Sequence, residues 1–329
     1  MANASGPWPG VDYPRTFHEF EAWFCSEVAC RAYIRRLRWP DGFICPRCGA
    51  IDTPWEMSRG RLRCRACEAE VSVTAGTIFQ DTHKPLRQWF AAMWFITSQK
   101  NGVSALGLQR VLGLGSYRTA WTWLHKLRRA MVRPGWDSLH GEVEVDEIYV
   151  CGREERVPGR ETTTKAIVAV AVEKDGRGFG RARLRRIRDA SADSLLPFVR
   201  STIATGATIQ TDGSSGYAGL APAGYQHRVT LISASTDPAH TVMPRVHKVA
   251  LLLKRWLIGT LQGGIQRRHL DDYLDEFAFR FNRRNSKDRG MLFYRLAQQA
   301  LAIGPATYRS IVNPDDDGAA DRHPRRIRA

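Results

Sequence analysis

The sequence lacks an apolar run long enough to cross a membrane. A spanning helix needs about 18 consecutive apolar residues, whereas the longest clean run here is Ala166–Val172. The N-terminal residues also lack the basic start and the apolar stretch of a secretory signal. We therefore expect no membrane span and no secretion, and a cytoplasmic protein.

Acidic residues are few relative to basic ones. The 329 residues include 33 Asp and Glu against 49 Lys and Arg, a formal net charge of +16. The hydrophobic share of 43% and charged share of 25% are those of a globular chain with two or three domains. The basic excess predicts a polyanionic partner, with nucleic acid first and an acidic membrane second.

Cysteines are also few, and their odd number, seven, argues against a complete disulfide framework. Cys45 and Cys48 form one C-x2-C pair, and Cys64 and Cys67 form another. This spacing predicts a zinc ribbon with four thiolates around one zinc; the alternative is four buried free thiols. A zinc with four cysteine ligands has no open position for substrate, so its role would be structural.

Helical periodicity follows the ribbon, over 85–99, 104–112 and 117–132. The last two segments flank a glycine turn, which predicts either a helix-turn-helix or an ordinary helical hairpin. In the last helix we expect Tyr117, Trp121, Leu124 and Leu127 to be buried. The residues expected on its solvent face are Arg118, His125, Lys126, Arg129 and Arg133, of which Arg118, Lys126 and Arg129 are predicted to contact DNA.

Strand-like alternation begins near residue 140. In the segment 142–150, the alternation places Glu142, Glu144 and Asp146 on one face of a strand. These acids are either exposed residues at the edge of the sheet or the rim of a cation site. Asp212 ends a later short strand and precedes Gly-Ser-Ser-Gly. It is either an Asp-Gly turn or a carboxylate projecting at a strand end, where sites in α/β sheets form.

Several motifs together carry a resemblance to a known family. They are KNGVSA at 100–105, AW at 120–121, VDE at 145–147, TDG at 211–213 and YLDEFAFRFNRR at 273–284. With the ribbon, they resemble the ISXO-two-like insertion-sequence transposases over about residues 17–303. The resemblance implies an α/β protein with an RNase H-like mixed sheet and flanking helices, preceded by a zinc ribbon and a helix-turn-helix-like module. It also implies an acidic triad holding two Mg²⁺ or Mn²⁺ ions.

By this resemblance Asp146 and Asp212 are the first two triad residues, and the third position holds His247 where Glu is usual. Imidazole suits Mn²⁺ better than Mg²⁺, so His247 is a weak ligand, a proton carrier or the mark of an inactive copy. The alternative acids are Asp237, Asp271, Asp272, Asp275 and Glu276. The last four are expected mostly to pair with Arg280, Arg283 and Arg284.

The predicted organisation is a helical segment at 1–40, the ribbon at 41–82, the helix-turn-helix-like module at 83–135, the catalytic domain at 140–304 and a disordered tail at 305–329. Further predicted DNA contacts are Lys254, Arg255, Arg283 and Arg284. The expected function is a transposase that cuts element ends and joins the 3′-hydroxyl to target DNA, working as a homo-oligomer on double-stranded DNA at the nucleoid. The alternatives are an inactive or domesticated DNA-binding protein and a nuclease without strand transfer.

Overall fold

The structure is a computed structural model that describes residues 6–132, 137–150, 165–230, 242–262 and 264–313. The chain divides into two compact units. The first comes from Met1–Pro134 and Asn285–Ala329, and the second from Gly135–Arg284. The two aspartates that the resemblance places in the catalytic site, Asp146 and Asp212, therefore belong to the same unit.

The regular elements match most of the predicted segments. The helices are α1 Phe17–Trp23, α2 Glu27–Arg38, α3 Leu86–Ser98, α4 Ala105–Leu112, α5 Tyr117–Arg129, α6 Ala192–Thr202, α7 Pro244–Leu261, α8 Leu270–Phe281, α9 Arg289–Ala302 and α10 Tyr308–Val312. The strands are β1 Trp55–Glu56, β2 Arg61–Arg63, β3 Glu70–Ser72, β4 Glu142–Val150, β5 Ala166–Asp175, β6 Gly178–Ile187, β7 Thr208–Thr211 and β8 Gln226–Val229. No helix in the described ranges is both long and apolar enough to cross a membrane.

Aromatic rings form the centre of the first unit. Phe24 and Phe90 meet edge to face with ring centroids 4.7 Å apart, and Phe293 of α9 lies 5.7 Å from Phe90. Phe293 is fully buried. This packing places α9 with the N-terminal helices, so the predicted catalytic domain, 140–304, extends about 20 residues beyond the second unit. The sequence pattern does not show to which unit this helix belongs.

The buried face of α5 differs from the predicted one. Tyr117 is 54% exposed and His125 is fully buried, whereas we expected the opposite. The ring of Trp123 stacks on Trp89 of α3 with centroids 3.9 Å apart. Stacked aromatic rings add to the area that each ring buries, so this pair turns α5 away from the orientation that Tyr117 and Trp121 would give.

The C-terminal segment contains helix α10, where the sequence predicts a disordered tail from 305. Thr307 caps this helix through its hydroxyl, which accepts a hydrogen bond from the Ser310 backbone N–H at 3.1 Å. Ile311 is fully buried and anchors the helix in the first unit. A helix of five residues is too short to give a recognisable periodicity, so it escapes sequence analysis. Residues 314–329 of the predicted tail lie outside the described part.

The second unit is built on a mixed sheet with strand order β6–β5–β4–β7–β8. Strand β4 pairs antiparallel with β5 and parallel with β7, which in turn pairs parallel with β8. This arrangement confirms the predicted mixed α/β sheet with flanking helices. Asp146 is paired with Val170 of β5, and the β7 pairing of β4 covers Glu142 to Glu144.

Helices cover both faces of this sheet. Ile148 and Val150 of β4 pack in a core with residues of α7 and α8, whereas Val143 and Val145 pack in a core that contains α6. Side chains alternate between the faces of a strand. The even-numbered residues of β4, including Glu144 and Asp146, therefore point to the α7 side, and Glu147 points to the α6 side.

Candidate active site and zinc centre

Asp146 and Asp212 lie on neighbouring parallel strands. The pairing of β4 with β7 matches Glu144 with Gln210. Extending this register by two residues brings Asp212, which directly follows β7, level with Asp146. Neighbouring strands lie about 4.8 Å apart, and both aspartates are only partly buried. This extended register predicts that the two aspartates lie side by side, which is the arrangement that a shared ion requires.

The turn after β7 fixes the backbone of Asp212. Gly213 has a φ of +83°, in the left-handed region that favours glycine. The Ser214 backbone N–H donates to Asp212 Oδ1 at 2.9 Å. On the preceding residue, Thr211 Oγ1 lies 2.9 Å from Nε2 of His227 on β8. Asp212 thus lies in a tight Asp-Gly turn and also at the end of a strand, so the two alternatives that the sequence offered are not exclusive.

Tyr217 is a buried residue that contacts a third carboxylate, Glu147, near the two aspartates. It is fully buried, and its hydroxyl donates to Glu147 Oε2 at 2.8 Å. Burial raises the pKa of Tyr217 well above its ordinary value, and the negative charges of Glu147, Asp146 and Asp212 raise that pKa further. Tyr217 therefore contacts Glu147 and lies within electrostatic range of both aspartates. Sequence analysis missed this residue; its place directly after the TDGSSG segment is the signal that could have found it.

His247 lies in the first turns of α7, next to a contact between this helix and β4. Glu144 on β4 is 3% exposed, and its carboxylate accepts hydrogen bonds from the backbone N–H groups of Arg245 and Val246 at 2.7 and 3.0 Å. His247 follows Val246 directly. Asp146 follows Glu144 by two residues on the same face of β4. The structure thus brings α7, which carries the third predicted residue, to the strand that carries the first.

The donor set at this place fits a divalent cation. Asp146 and Asp212 offer carboxylate oxygens, the ligands that Mg²⁺ and Mn²⁺ prefer. The negative charges of these aspartates act on the buried Tyr217, and a bound cation would offset them. The imidazole of His247 suits Mn²⁺ better than Mg²⁺.

Two of the alternative acids on α8, Asp271 and Glu276, contact arginines. Glu276 is fully buried and lies 3.7 Å from the Arg280 guanidinium, as predicted for this pair. Asp271 instead contacts Arg186 of β6, at 3.4 Å. Asp237 lies outside the described residues. The first of these pairs lies within α8, and the second joins α8 to β6.

The four predicted zinc ligands converge in the ribbon. Their Sγ atoms all lie within 4.8 Å of one another, and the Cys45–Cys67 and Cys48–Cys64 pairs are each 3.7 Å apart. Tetrahedral zinc with Zn–S bonds of about 2.3 Å separates its sulfurs by about 3.8 Å. The observed spacing therefore fits a single zinc ion.

The two cysteine knuckles share one backbone geometry. The Gly49 N–H donates to Cys45 O at 2.8 Å, and the Glu68 N–H donates to Cys64 O at 3.0 Å. Burial raises the pKa of the Cys45 thiol, but hydrogen bonds from the Cys48 and Arg47 backbone outweigh it and lower this pKa to about 7. The knuckle backbone thus favours the thiolate that zinc binds.

The predicted DNA contacts on α5 face helix α10 within the first unit. The Arg118 guanidinium lies 3.8 Å from the centroid of the Tyr308 ring, and Arg129 Nη2 donates to Ser310 O at 2.8 Å. Burial lowers the pKa of Lys126. Arg118 itself is exposed. The basic face of α5 is therefore shared between α10 and solvent.

The predicted DNA contacts of the second unit fall into two groups. Lys254 and Arg255 are exposed on α7. Arg284 instead donates to the backbone oxygens of Phe179, Gly180 and Phe281, the last at 2.9 Å. The Arg283 guanidinium stacks on Phe279, 4.1 Å from its centroid. Arg284 thus joins α8 to β6, and Arg283 packs on α8, roles that their positive charge does not reveal in the sequence.

Comparisons with known proteins indicate the class of protein to which this chain is similar. Residues 138–282 match the family model described as the ISXO2-like transposase domain. Residues 25–70 match the transposase zinc-ribbon domain. The two matches confirm the predicted resemblance, indicate an insertion-sequence transposase and imply DNA binding.

A relative supports the same class. The chain is 26% identical over 277 residues to an uncharacterized protein in transposable element ISH50 of Halobacterium salinarum. The alignment covers 78% of this chain and 91% of that protein. The similarity therefore extends beyond each of the matched domains.

Proposed function

We propose that this protein is a DDE-type transposase with an RNase H-like catalytic domain. It cuts the ends of its element and joins the freed 3′-hydroxyl to target DNA. The observation that supports this proposal most strongly is the β4–β7 register, which brings Asp212 level with Asp146. Asp146 and Asp212 hold the divalent cations, and His247 is the third ligand.

The residues around the site have distinct tasks. Bound Mg²⁺ or Mn²⁺ ions supply charge neutralisation and activation at both ends of an in-line phosphoryl displacement. The tight turn at Gly213 orients the Asp212 carboxylate, and Tyr217 holds Glu147 beside the two aspartates. Because attack by water and attack by a 3′-hydroxyl are the same displacement at phosphorus, one set of carboxylates serves cutting and joining.

The presence of His247 at the third position supports a second candidate function, DNA binding without catalysis. An imidazole in place of the usual acid weakens Mg²⁺ binding, as expected of an inactive or domesticated transposase that still binds DNA. Product analysis separates the candidates, using the purified chain, a duplex with the inverted repeats that flank its coding region, and Mg²⁺ or Mn²⁺. The transposase yields 3′-hydroxyl ends and strand-transfer products. Cut ends without joined products indicate a nuclease, and intact DNA that is still bound indicates the DNA-binding protein.

DNA binding by the exposed face of α7 predicts different outcomes for two arginines. Arg255→Ala removes an exposed cation, so DNA affinity falls and the slope of log affinity against log salt decreases by about 1. Arg284→Ala removes hydrogen bonds to backbone oxygens. It lowers the free energy of unfolding by about 1–3 kcal/mol and leaves the salt slope unchanged.

Fluorescence anisotropy across a salt series and urea denaturation measure the two effects. Arg284→Ala is the matched control for Arg255→Ala, because both variants remove one positive charge from the same unit. An equal decrease of the salt slope in both variants would contradict the assignment of these arginines to different tasks.

A further inference from the structure

The three acids on one face of β4 have three different environments. Glu142 forms an ion pair with Lys174 at 2.6 Å, and both side chains are 43% exposed. Asp146 lies level with Asp212 in the proposed cation site. Glu144, between them, is buried and contacts helix α7. The sequence does not show whether these acids are exposed surface residues or part of a cation site. In the structure the three acids do not share one role.

Glu144 caps α7 from outside the helix. Its Oε2 accepts from the Arg245 and Val246 N–H groups at 2.7 and 3.0 Å, and its Oε1 accepts from Arg245 Nη1 at 2.9 Å. N–H groups in the first turn of a helix have no acceptor within the helix. The N-cap residue, Met243, provides no side-chain hydrogen bond. A carboxylate at this end also interacts favourably with the helix dipole.

Arg245 fixes the same turn at a second place. Its Nε donates to Gly178 O at 2.9 Å and its Nη2 to Gly176 O at 3.2 Å, at the turn between β5 and β6. The first turn of α7 is therefore held to β4 through Glu144 and to the β5–β6 turn through Arg245. His247 follows Val246, the last residue of this fixed turn.

We infer that Glu144 is a positioning residue: it holds the first turn of α7 against β4 so that His247 faces the cation site of Asp146 and Asp212. This inference rests on the proposed function. It gives the acid two residues before Asp146 a task that requires neither contact with DNA nor contact with a cation. Acting through α7, Glu144 sets the distance between the first and third ligands.

Glu144→Gln in the full chain tests this role. The amide keeps the size of the side chain and one acceptor oxygen, but it removes the negative charge, and its NH₂ group cannot accept the hydrogen bond from Arg245 Nη1. Loss of a partner that orients a metal ligand typically costs about 10–100-fold in metal affinity. We therefore expect the Mn²⁺ concentration for half-maximal cleavage to rise about tenfold. Glu142→Gln, on the same face of the same strand, is the matched control and keeps the wild-type value.

Pulsed EPR of Mn²⁺ bound to the DNA-free protein provides a readout that is independent of cleavage. We expect a nitrogen coupling from His247 in the wild type, its loss in His247→Ala and its weakening in Glu144→Gln. An unchanged Mn²⁺ midpoint and an unchanged coupling in a destabilised Glu144→Gln would show a purely structural role and overturn the inference. A wild-type spectrum without the coupling would also overturn it.

Two further variants keep the result interpretable. If Glu144→Gln does not fold, Arg245→Ala removes the contacts to the β5–β6 turn, and we expect a smaller rise of the Mn²⁺ midpoint, about threefold. An unchanged midpoint in Arg245→Ala would then overturn the inference. Wild-type cleavage by Asp146→Asn would overturn the proposed function itself, which distinguishes that failure from a failure of the positioning role.

Discussion

Asp146→Asn and Asp212→Asn are each expected to lower the rate of element-end cleavage by about 10³-fold or more, in Mg²⁺ and in Mn²⁺. The amide preserves the size of the side chain but removes its negative charge. If the carboxylate contributes about 4 kcal/mol of transition-state stabilisation through the bound cations, its loss corresponds to about a thousandfold in rate. Single-turnover cleavage of an end-labelled duplex measures this effect.

The same variants should bind DNA with affinity within about twofold of the wild type, because they remove no positive charge that contacts phosphates. Glu142→Gln is the matched control, since Glu142 lies on the same strand face in an exposed ion pair with Lys174. It should cleave at the wild-type rate. Wild-type cleavage by either aspartate variant would refute the assignment of the site.

Cys45→Ser and Cys64→Ser are expected to lower the zinc content from about one ion per chain to almost none. Each variant removes one of four thiolates, and binding of a structural zinc supplies about 10 kcal/mol or more of folding free energy. The apolar contacts between β2 and β3, such as Leu62 opposite Val71, are too few to replace it. Elemental analysis measures the zinc, and amide hydrogen exchange over 41–82 measures the unfolding of the ribbon.

Cys25→Ser is the control for these two variants. Cys25 is exposed and outside the cluster of four thiols. It should retain both the zinc and the slow exchange of the ribbon. Unchanged zinc content in Cys45→Ser or Cys64→Ser would contradict the interpretation of the knuckles as a zinc site.

Sequence reasoning worked where local order determines structure. The C-x2-C spacing predicted the four converging thiols because each knuckle is closed by hydrogen bonds within a few residues, such as Gly49 N–H to Cys45 O. Alternation predicted β4, and the small residues after Asp212 predicted its turn. These features need only neighbours along the chain, so the sequence alone is sufficient to find them.

The errors and omissions all depend on contacts between distant segments. Trp89 sets the orientation of α5 through its stacking on Trp123. Phe293 places α9 with the N-terminal helices, and Ile311 anchors α10 in a segment of polar composition. The periodicity of one segment shows which of its faces is apolar, but it does not show which distant segment packs against that face.

The same reason limited the prediction of the candidate site. Glu144 looked like one of three equivalent acids until its partners, the first N–H groups of α7, were located about a hundred residues away. Arg284 looked like a DNA contact until its guanidinium was placed on backbone oxygens of the β6 edge. Charge along the sequence shows what a side chain can bind but not which group it meets.

In the proposed site, the carboxylates of Asp146 and Asp212 share divalent cations. Anomalous scattering from crystals of the protein grown with Mn²⁺ would locate these cations. We predict a strong Mn²⁺ peak with oxygen ligands from both side chains. A Mn²⁺ ion bound by one of the two aspartates alone, or no peak between them, would contradict the account.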